Sequence, residues 1–155
     1  MISFTDTSTA VVRAATPADL PAVEHLLRAS DLPLAGVKEC LEDFVVAVAD
    51  GQLVGVAGLE VCCDDALLRS VAVHPEWRSK GVGRAVVSRA IAQAESRGLR
   101  ALYLLTTTAE HYFPTFGFQK VERSAVPPDV RATEEFTTAC PASATVMTRA
   151  LAGAA

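Results

Sequence analysis

The run Val71-Ala72-Val73-His74-Pro75-Glu76-Trp77-Arg78-Ser79-Lys80-Gly81-Val82-Gly83 concentrates the residue types of this chain that could do chemistry. A strand reading ends at Pro75, and an amphipathic helix pattern begins after the glycines. A helix opening presents unpaired backbone N–H groups and a partial positive charge, which suit a phosphate. Gly81 and Gly83 lack Cβ, so phosphate oxygens can approach the main chain closely. Arg78 and Lys80 add full positive charges. The six residues Arg78, Ser79, Lys80, Gly81, Val82 and Gly83 therefore read as a pyrophosphate cradle. Neither common phosphate loop fits. Lys80 precedes the glycine with no Gly-Lys-Ser/Thr after it, and no GxGxxG with an acid about 20 residues on is present. Taken alone, the same residues also fit a helix-entry loop with incidental glycines.

Other residues stand out by type and place. Glu60 interrupts the otherwise apolar Leu53–Cys62 segment. A carboxylate in a sheet interior needs a partner, and Arg69 on the next strand is the nearest cation in sequence. The pair reads either as a structural ion pair or as a substrate clamp, with Arg69 holding a carboxylate bidentately and Glu60 available as a base. Thr106, Thr107 and Thr108 put three hydroxyls at a strand's C-terminal end, fit for ligand hydrogen bonds or for capping the next turn. His74 lies at a loop, and His111 beside an aromatic segment is a weaker base candidate. Asp64 and Asp65 read as turn residues. Cys40, Cys62, Cys63 and Cys140 form no CxxC and read as reduced, apolar side chains, with no metal site.

These residues need a scaffold to place them. Ala10–Ala14 reads as a strand, and Thr16-Pro17-Ala18-Asp19 as a helix start running to Ser30 through Leu20, Val23, Leu26 and Leu27. Leu32–Cys40 reads as irregular or as a second short helix. Phe44–Asp50, Leu53–Cys62 and Ala66–Val73 form a meander with a turn at Asp50-Gly51. Val86, Val87, Ala90, Ile91 and Ala94 mark the buried side of the helix after the loop, with Gly98 as its C-cap. Ala101–Thr106 reads as a buried parallel strand, Ala109–Phe116 as a short aromatic helix, Phe118–Val121 as a strand, Pro127–Thr138 as loop with a helical turn or two, and Ala144–Leu151 as the last strand. This order predicts a mixed α/β sheet with helices on its faces.

The 155 residues are half apolar and carry a net charge of −4, as expected for one globular domain from residue 10 onward behind a flexible lead of residues 1–9. The acidic balance argues against nucleic acid and anionic membrane as partners. Neither a signal-peptide pattern nor a membrane-length apolar run is present, which points to the cytoplasm.

The Arg-x-x-Gly-x-Gly loop after a Val-x-Val strand, followed by Tyr112-Phe113-Pro114-Thr115-Phe116-Gly117-Phe118, resembles the GCN5-related N-acetyltransferase (GNAT) family from about Val11 to Leu151. The resemblance implies a GNAT-like mixed, mostly antiparallel sheet with a splayed parallel central strand pair. It implies acetyl-CoA as co-substrate, its diphosphate on the loop and its pantetheine arm along Val71, Ala72 and Val73, with Thr106 and Phe113 beside it. The acceptor would be a small-molecule amine near Arg69, Thr107 and Arg131, with Thr133 and Glu135 in the same C-terminal segment. The family often carries a base glutamate where this chain has Leu67, so Glu60, singled out above by its place in an apolar strand, is the base candidate, with Tyr112 the acid candidate. The family often places a tyrosine acid where this chain has Phe113; Tyr112 is one residue off, about 100° around a helix. The likeness leaves room for a homodimer. Leu67–Val73, Leu102–Ala109, Val126–Pro127, Arg131–Phe136 and Cys140–Ala144 further resemble a family branch linked to arsenic resistance, implying an amino-acid-like or arsenic-containing acceptor. The competing expectation is a CoA-binding sensor without turnover.

Overall fold

The computed structural model describes residues 10–133, 136–137 and 143–151. The expected N-terminal lead, Glu134, Glu135 and Cys140 lie outside them. The strands are β1 (Val11–Ala14), β2 (Phe44–Ala49), β3 (Gln52–Cys62), β4 (Asp65–Val73), β5 (Ala101–Thr106), β6 (Gln119–Lys120) and β7 (Thr145–Ala150). The helices are α1 (Leu20–Ala29), α2 (Val37–Cys40), α3 (Val82–Ser96) and α4 (Pro128–Arg131). The seven strands follow the order β1-β2-β3-β4-β5-β7-β6. The β4–β5 pairing is parallel and the β1–β2, β2–β3, β5–β7 and β6–β7 pairings are antiparallel, the mixed sheet the sequence implies.

The chain forms two compact units, Met1–Gly58 with Ser70–Ala90, and Leu59–Arg69 with Ile91–Ala155. In the first, α1 buries Val23, Leu26 and Leu27 against Val37, Leu41, Phe44, Val46, Val56 and Ala72. Its entry is fixed by a capping box. Asp19 accepts from the Thr16 N–H at 2.7 Å and from both ends of the Arg13 guanidinium at 2.8 and 3.0 Å. The Arg13 hydrogen bond, reinforced by Thr16, holds the Asp19 carboxyl down at about 2. The β2–β3 hairpin turns through Asp50 and Gly51, both left-handed at φ 52° and 74°, as an Asp-Gly turn permits. Gly58 sits opposite Phe44, whose ring would lie 2.4 Å from a Cβ there, so only glycine admits that ring.

In the second unit β7 pairs with β5 along all six of its residues, and β6 adds two pairs at the edge. Leu67, Val126, Val130, Phe136 and Val146 form the core. Three expectations are corrected. Asp65 is no turn residue: it opens β4, is buried at 4% exposure and holds Arg100 at 2.9 Å, because a carboxylate leaving water needs a cation. The aromatic helix shrinks to a 3₁₀ turn, Phe113–Phe116, since Pro114 supplies no N–H and Gly117 leaves at φ 88°. The strand expected over residues 118–121 keeps only Gln119 and Lys120 as β6.

Candidate functional site

The loop between β4 and α3 belongs to the first unit. His74 follows β4 directly, donates its N–H to Val54 O at 2.8 Å, and accepts from the Glu76 N–H through Nδ1 at 3.1 Å. Pro75–Trp77 then make one 3₁₀ turn. Ser79 and Gly81 both take left-handed backbone, at φ 65° and 86°. Arg78 before them is extended, so the chain reverses direction within this turn and presents its backbone N–H groups at the surface ahead of α3. A Cβ built on Gly81 would meet no atom within 4 Å, so the space beside it is open. The loop's amides lead into the first turn of α3, a helix of 15 residues with a full macrodipole. Gly55 is why the helix can start there: a Cβ on it would stand 2.5 Å from Val82 Cγ1.

The two expected cations behave differently. Arg78 is exposed but anchored, its Nε donating to Val73 O at 3.2 Å. Lys80 is exposed, with Nζ 5.6 Å from the centre of the Trp77 ring. Ser79, Lys80 and Gly81 are solvent-exposed, whereas Val82 is buried and anchors the helix. Ala72 is also buried, pointing into the core that α1 covers, and Val71 and Val73 are half-buried. From Val71 to Val73, then, it is the main chain rather than the Ala72 side chain that is left for a ligand.

A feature the sequence did not signal lies just upstream. Ser70, buried at 7% exposure, has φ 58° in the middle of β4. A non-glycine residue pays for left-handed backbone, so the surrounding packing must hold it. The parallel register to β5 runs Asp65–Ala101, Ala66–Leu102 and Leu67–Tyr103, and ends before Ser70. Such a bend is a bulge-like interruption that re-aims the backbone beyond it. The only hint was a serine in an apolar strand.

In the second unit Arg69 and Glu60 do pair, Nη1 to Oε1 at 3.0 Å. Arg69 has a side chain 1% exposed, while the Glu60 side chain keeps 20% exposure. A guanidinium so buried requires a fixed anion, and Glu60 is that anion. Cys62 donates its thiol to the Glu60 carbonyl at 3.4 Å. Thr106 Oγ1 accepts from the N–H groups of Thr108 and Ala109 at 3.3 and 2.9 Å, which is the capping role. Thr107 and Arg131 are exposed. Thr133 is buried and donates to Val130 O at 2.8 Å.

Tyr112 and Phe113 part company as their spacing implies. Phe113 is buried at 7% exposure amid Tyr112, Phe116 and Phe118, while Tyr112 is 39% exposed and packs edge-on against Phe113 and Phe116. His111 is exposed. Cys63 is exposed, and its thiol titrates above the usual range because it hydrogen-bonds Asp129 and faces Asp64 and Asp65. Among the described residues no group of three or more His, Cys, Asp or Glu is placed to hold a metal, and no helix is long and apolar enough to cross a membrane.

A mixed sheet with a bent central strand, a cationic loop and then a helix is the arrangement the sequence resemblance led one to expect. The acetyltransferase (GNAT) domain model matches residues 41–120, and the chain belongs to that family. The amino-acid acetyltransferase of Aeromonas salmonicida is 31% identical over 124 residues, which are 74% of this chain and 28% of the relative. That of Salmonella typhi is 33% identical over 89 residues, 56% of this chain and 20% of the relative. The chain thus spans between a fifth and little more than a quarter of such relatives, 20% and 28%. Among solved structures, N-acetylglutamate synthase from Neisseria gonorrhoeae with coenzyme A and N-acetyl-glutamate superposes at TM-score 0.80 with 22% identity, covering 92% of this chain and 35% of that one. Rv2747 from Mycobacterium tuberculosis, solved in complex with CoA, superposes at TM-score 0.78 with 27% identity and covers 91% of this chain and 99% of its own.

Proposed function

We propose that this chain is an acetyl-CoA-dependent N-acetyltransferase that transfers acetyl directly to the amine of a small amino-acid-like acceptor. The observation that carries the reading is the turn in which Ser79 and Gly81 are left-handed and the backbone N–H groups run into α3 beside open space at Gly81. Those groups fit a diphosphate, so Arg78–Gly83 would hold acetyl-CoA, which when bound supplies the activated acyl group. The Val71–Val73 main chain offers donors and acceptors for its arm, and an N–H near Val73 is the expected donor to the thioester oxygen as charge develops there.

The acceptor reading rests on Arg69. A buried guanidinium is suited to bidentate recognition of a carboxylate, and Glu60 keeps it neutralised and oriented. Glu60 is the group proposed to take the ammonium proton, since only the neutral amine attacks. Thr107 and Arg131, both exposed, stand as further acceptor contacts. The amino-acid acetyltransferase relatives support an amino acid as acceptor. The arsenic-linked likeness adds an arsenic-containing amino acid to the acceptors worth testing, as a carboxylate-bearing molecule the same guanidinium could hold.

A second reading has one observation behind it. Phe113 stands where the family often has its tyrosine acid and has no proton to give, and Tyr112 lies among rings at the surface. A domain that binds CoA without turnover would need no such acid. Turnover separates the two: thiol release from acetyl-CoA across a panel of amino acids and their phosphinate and arsinate analogues is expected for at least one acceptor. Tight CoA binding with no acceptor consumed would instead establish the sensor. Gly81→Glu is the control. It places a carboxylate in the open space of the cradle and is expected to weaken acetyl-CoA binding by at least about a hundredfold, roughly 2.7 kcal/mol, with the fold retained and the melting temperature lowered only by the cost of a non-glycine residue at φ 86°, about 1–2 kcal/mol.

A further inference from the structure

We propose that a cavity at the β6 end of the second unit binds a free α-amino acid as its zwitterion, with the carboxylate on Arg123 and the ammonium on Glu122. The cavity has a volume of about 570 Å³, within the range of small-molecule sites. It lies where β6 and β7 part. Val121 still donates its N–H to Val146 O at 3.0 Å, and beyond that bond Arg123 spans the gap, its Nη2 donating to Ala144 O at 3.1 Å. The same guanidinium sits over the Phe136 ring, 5.1 Å from its centre. Two contacts thus orient a planar group with five N–H donors before a ligand arrives, which lowers the ordering cost of binding.

The lining decides the class of ligand. Val121 and Val146 form an apolar wall that suits an aliphatic side chain. Three charged residues line the cavity, and Lys120 is matched by Glu110 at 3.0 Å. The other two, Glu122 and Arg123, are chain neighbours of opposite sign. A simple anion would meet Glu122 as well as Arg123, and a simple amine would meet Arg123 as well as Glu122. An α-amino acid carries both charges close together and answers both residues, the carboxylate suiting the guanidinium fork. The half-buried Thr145 adds a hydroxyl that can donate or accept. None of the lining residues belongs to the Arg78–Gly83 loop or to the Glu60–Arg69 pair, so amino-acid binding here does not depend on acetyl-CoA.

Titration of the whole chain without acetyl-CoA, followed by NMR, tests this with three probes: L-leucine, isocaproate, which lacks its ammonium, and isoamylamine, which lacks its carboxylate. L-leucine is expected to bind about tenfold more tightly than either and to shift the methyl signals of Val121 and Val146. Glu122→Gln, at an exposed position, should weaken L-leucine about tenfold and leave isocaproate within about twofold. Arg123→Gln should weaken L-leucine and isocaproate alike and leave isoamylamine within about twofold; should that variant fail to fold, Glu122→Gln carries the test. No binding of L-leucine, equal binding by the wild type and Glu122→Gln, or methyl shifts that spare Val121 and Val146 overturns the proposal. The last two results would move the amino acid to another site, such as the Arg69 clamp, and none of the three bears on whether the chain binds acetyl-CoA.

Discussion

Arg69 is buried to 1% side-chain exposure and carries a permanent charge, so its environment must contain a fixed anion. Glu60 answers that need, and the pair has two consequences that separate function from support. If Arg69 holds the acceptor carboxylate, Arg69→Ala raises acceptor KM by about 10–100-fold with a smaller change in kcat, as expected for the loss of a charge-assisted contact worth about 1.5–3 kcal/mol. An unfolded Arg69→Ala, judged by circular dichroism, would show that the pair only supports the sheet. If Glu60 takes the proton, Glu60→Gln lowers kcat and removes the acidic limb of the pH–rate profile; an unaltered limb would remove Glu60 from that role. The two variants act on one pair, so their effects will not add.

The elements around the loop are set by small residues. Gly55 lets the first turn of α3 approach β3, because a Cβ there would sit 2.5 Å from Val82 Cγ1. Gly55→Ala therefore pushes the start of the helix. It is expected to cost about 1–3 kcal/mol in urea unfolding, and to weaken acetyl-CoA binding because the loop amides move with Val82. Lost stability with unchanged affinity would show that the cradle is independent of the helix start. β4 shows the opposite economy: Ser70 holds left-handed backbone inside a buried strand, strain that the packing around it must offset.

At the scale of the molecule, acid stability is expected to track the carboxylates whose pKa is lowered by a cation. Asp19 is held at about 2 by Arg13 and Thr16, and Glu110 is lowered by Lys120. A group whose folded pKa lies below its unfolded value contributes stability that is present above the unfolded value near 3.8 and lost as pH falls through about 2. Melting temperature should therefore decline between about pH 4 and 2 in the wild type, and decline less steeply in Asp19→Asn, which should also lose about 1 kcal/mol at neutral pH. Parallel curves for the two proteins would show that the Arg13–Asp19 box does not contribute.

Much of this molecule is written locally. The Arg78–Gly83 loop, the Asp50-Gly51 turn, the Thr16–Asp19 helix start and the Gly98 cap at φ 73° all depend on residues close together in sequence, where backbone preference and capping act directly. Apolar periodicity likewise marked β2, β3, α1 and α3, since burying one face imposes the period. The Glu60–Arg69 pair was legible because a charge in an apolar strand demands a partner. What the sequence could not decide depends on elements distant in the chain. Asp65 became a buried strand residue because Arg100 arrives beside it, and Ser70 keeps left-handed backbone because the packing holds it there. The contact of Lys80 with Trp77 is local in sequence, yet it forms only because the 3₁₀ turn over Pro75–Trp77 and the left-handed Ser79 bring the ring and the ammonium together. Local preference sets which elements form, whereas strain and buried charge are tolerated only where tertiary packing compensates them, and that compensation is not encoded in any single segment.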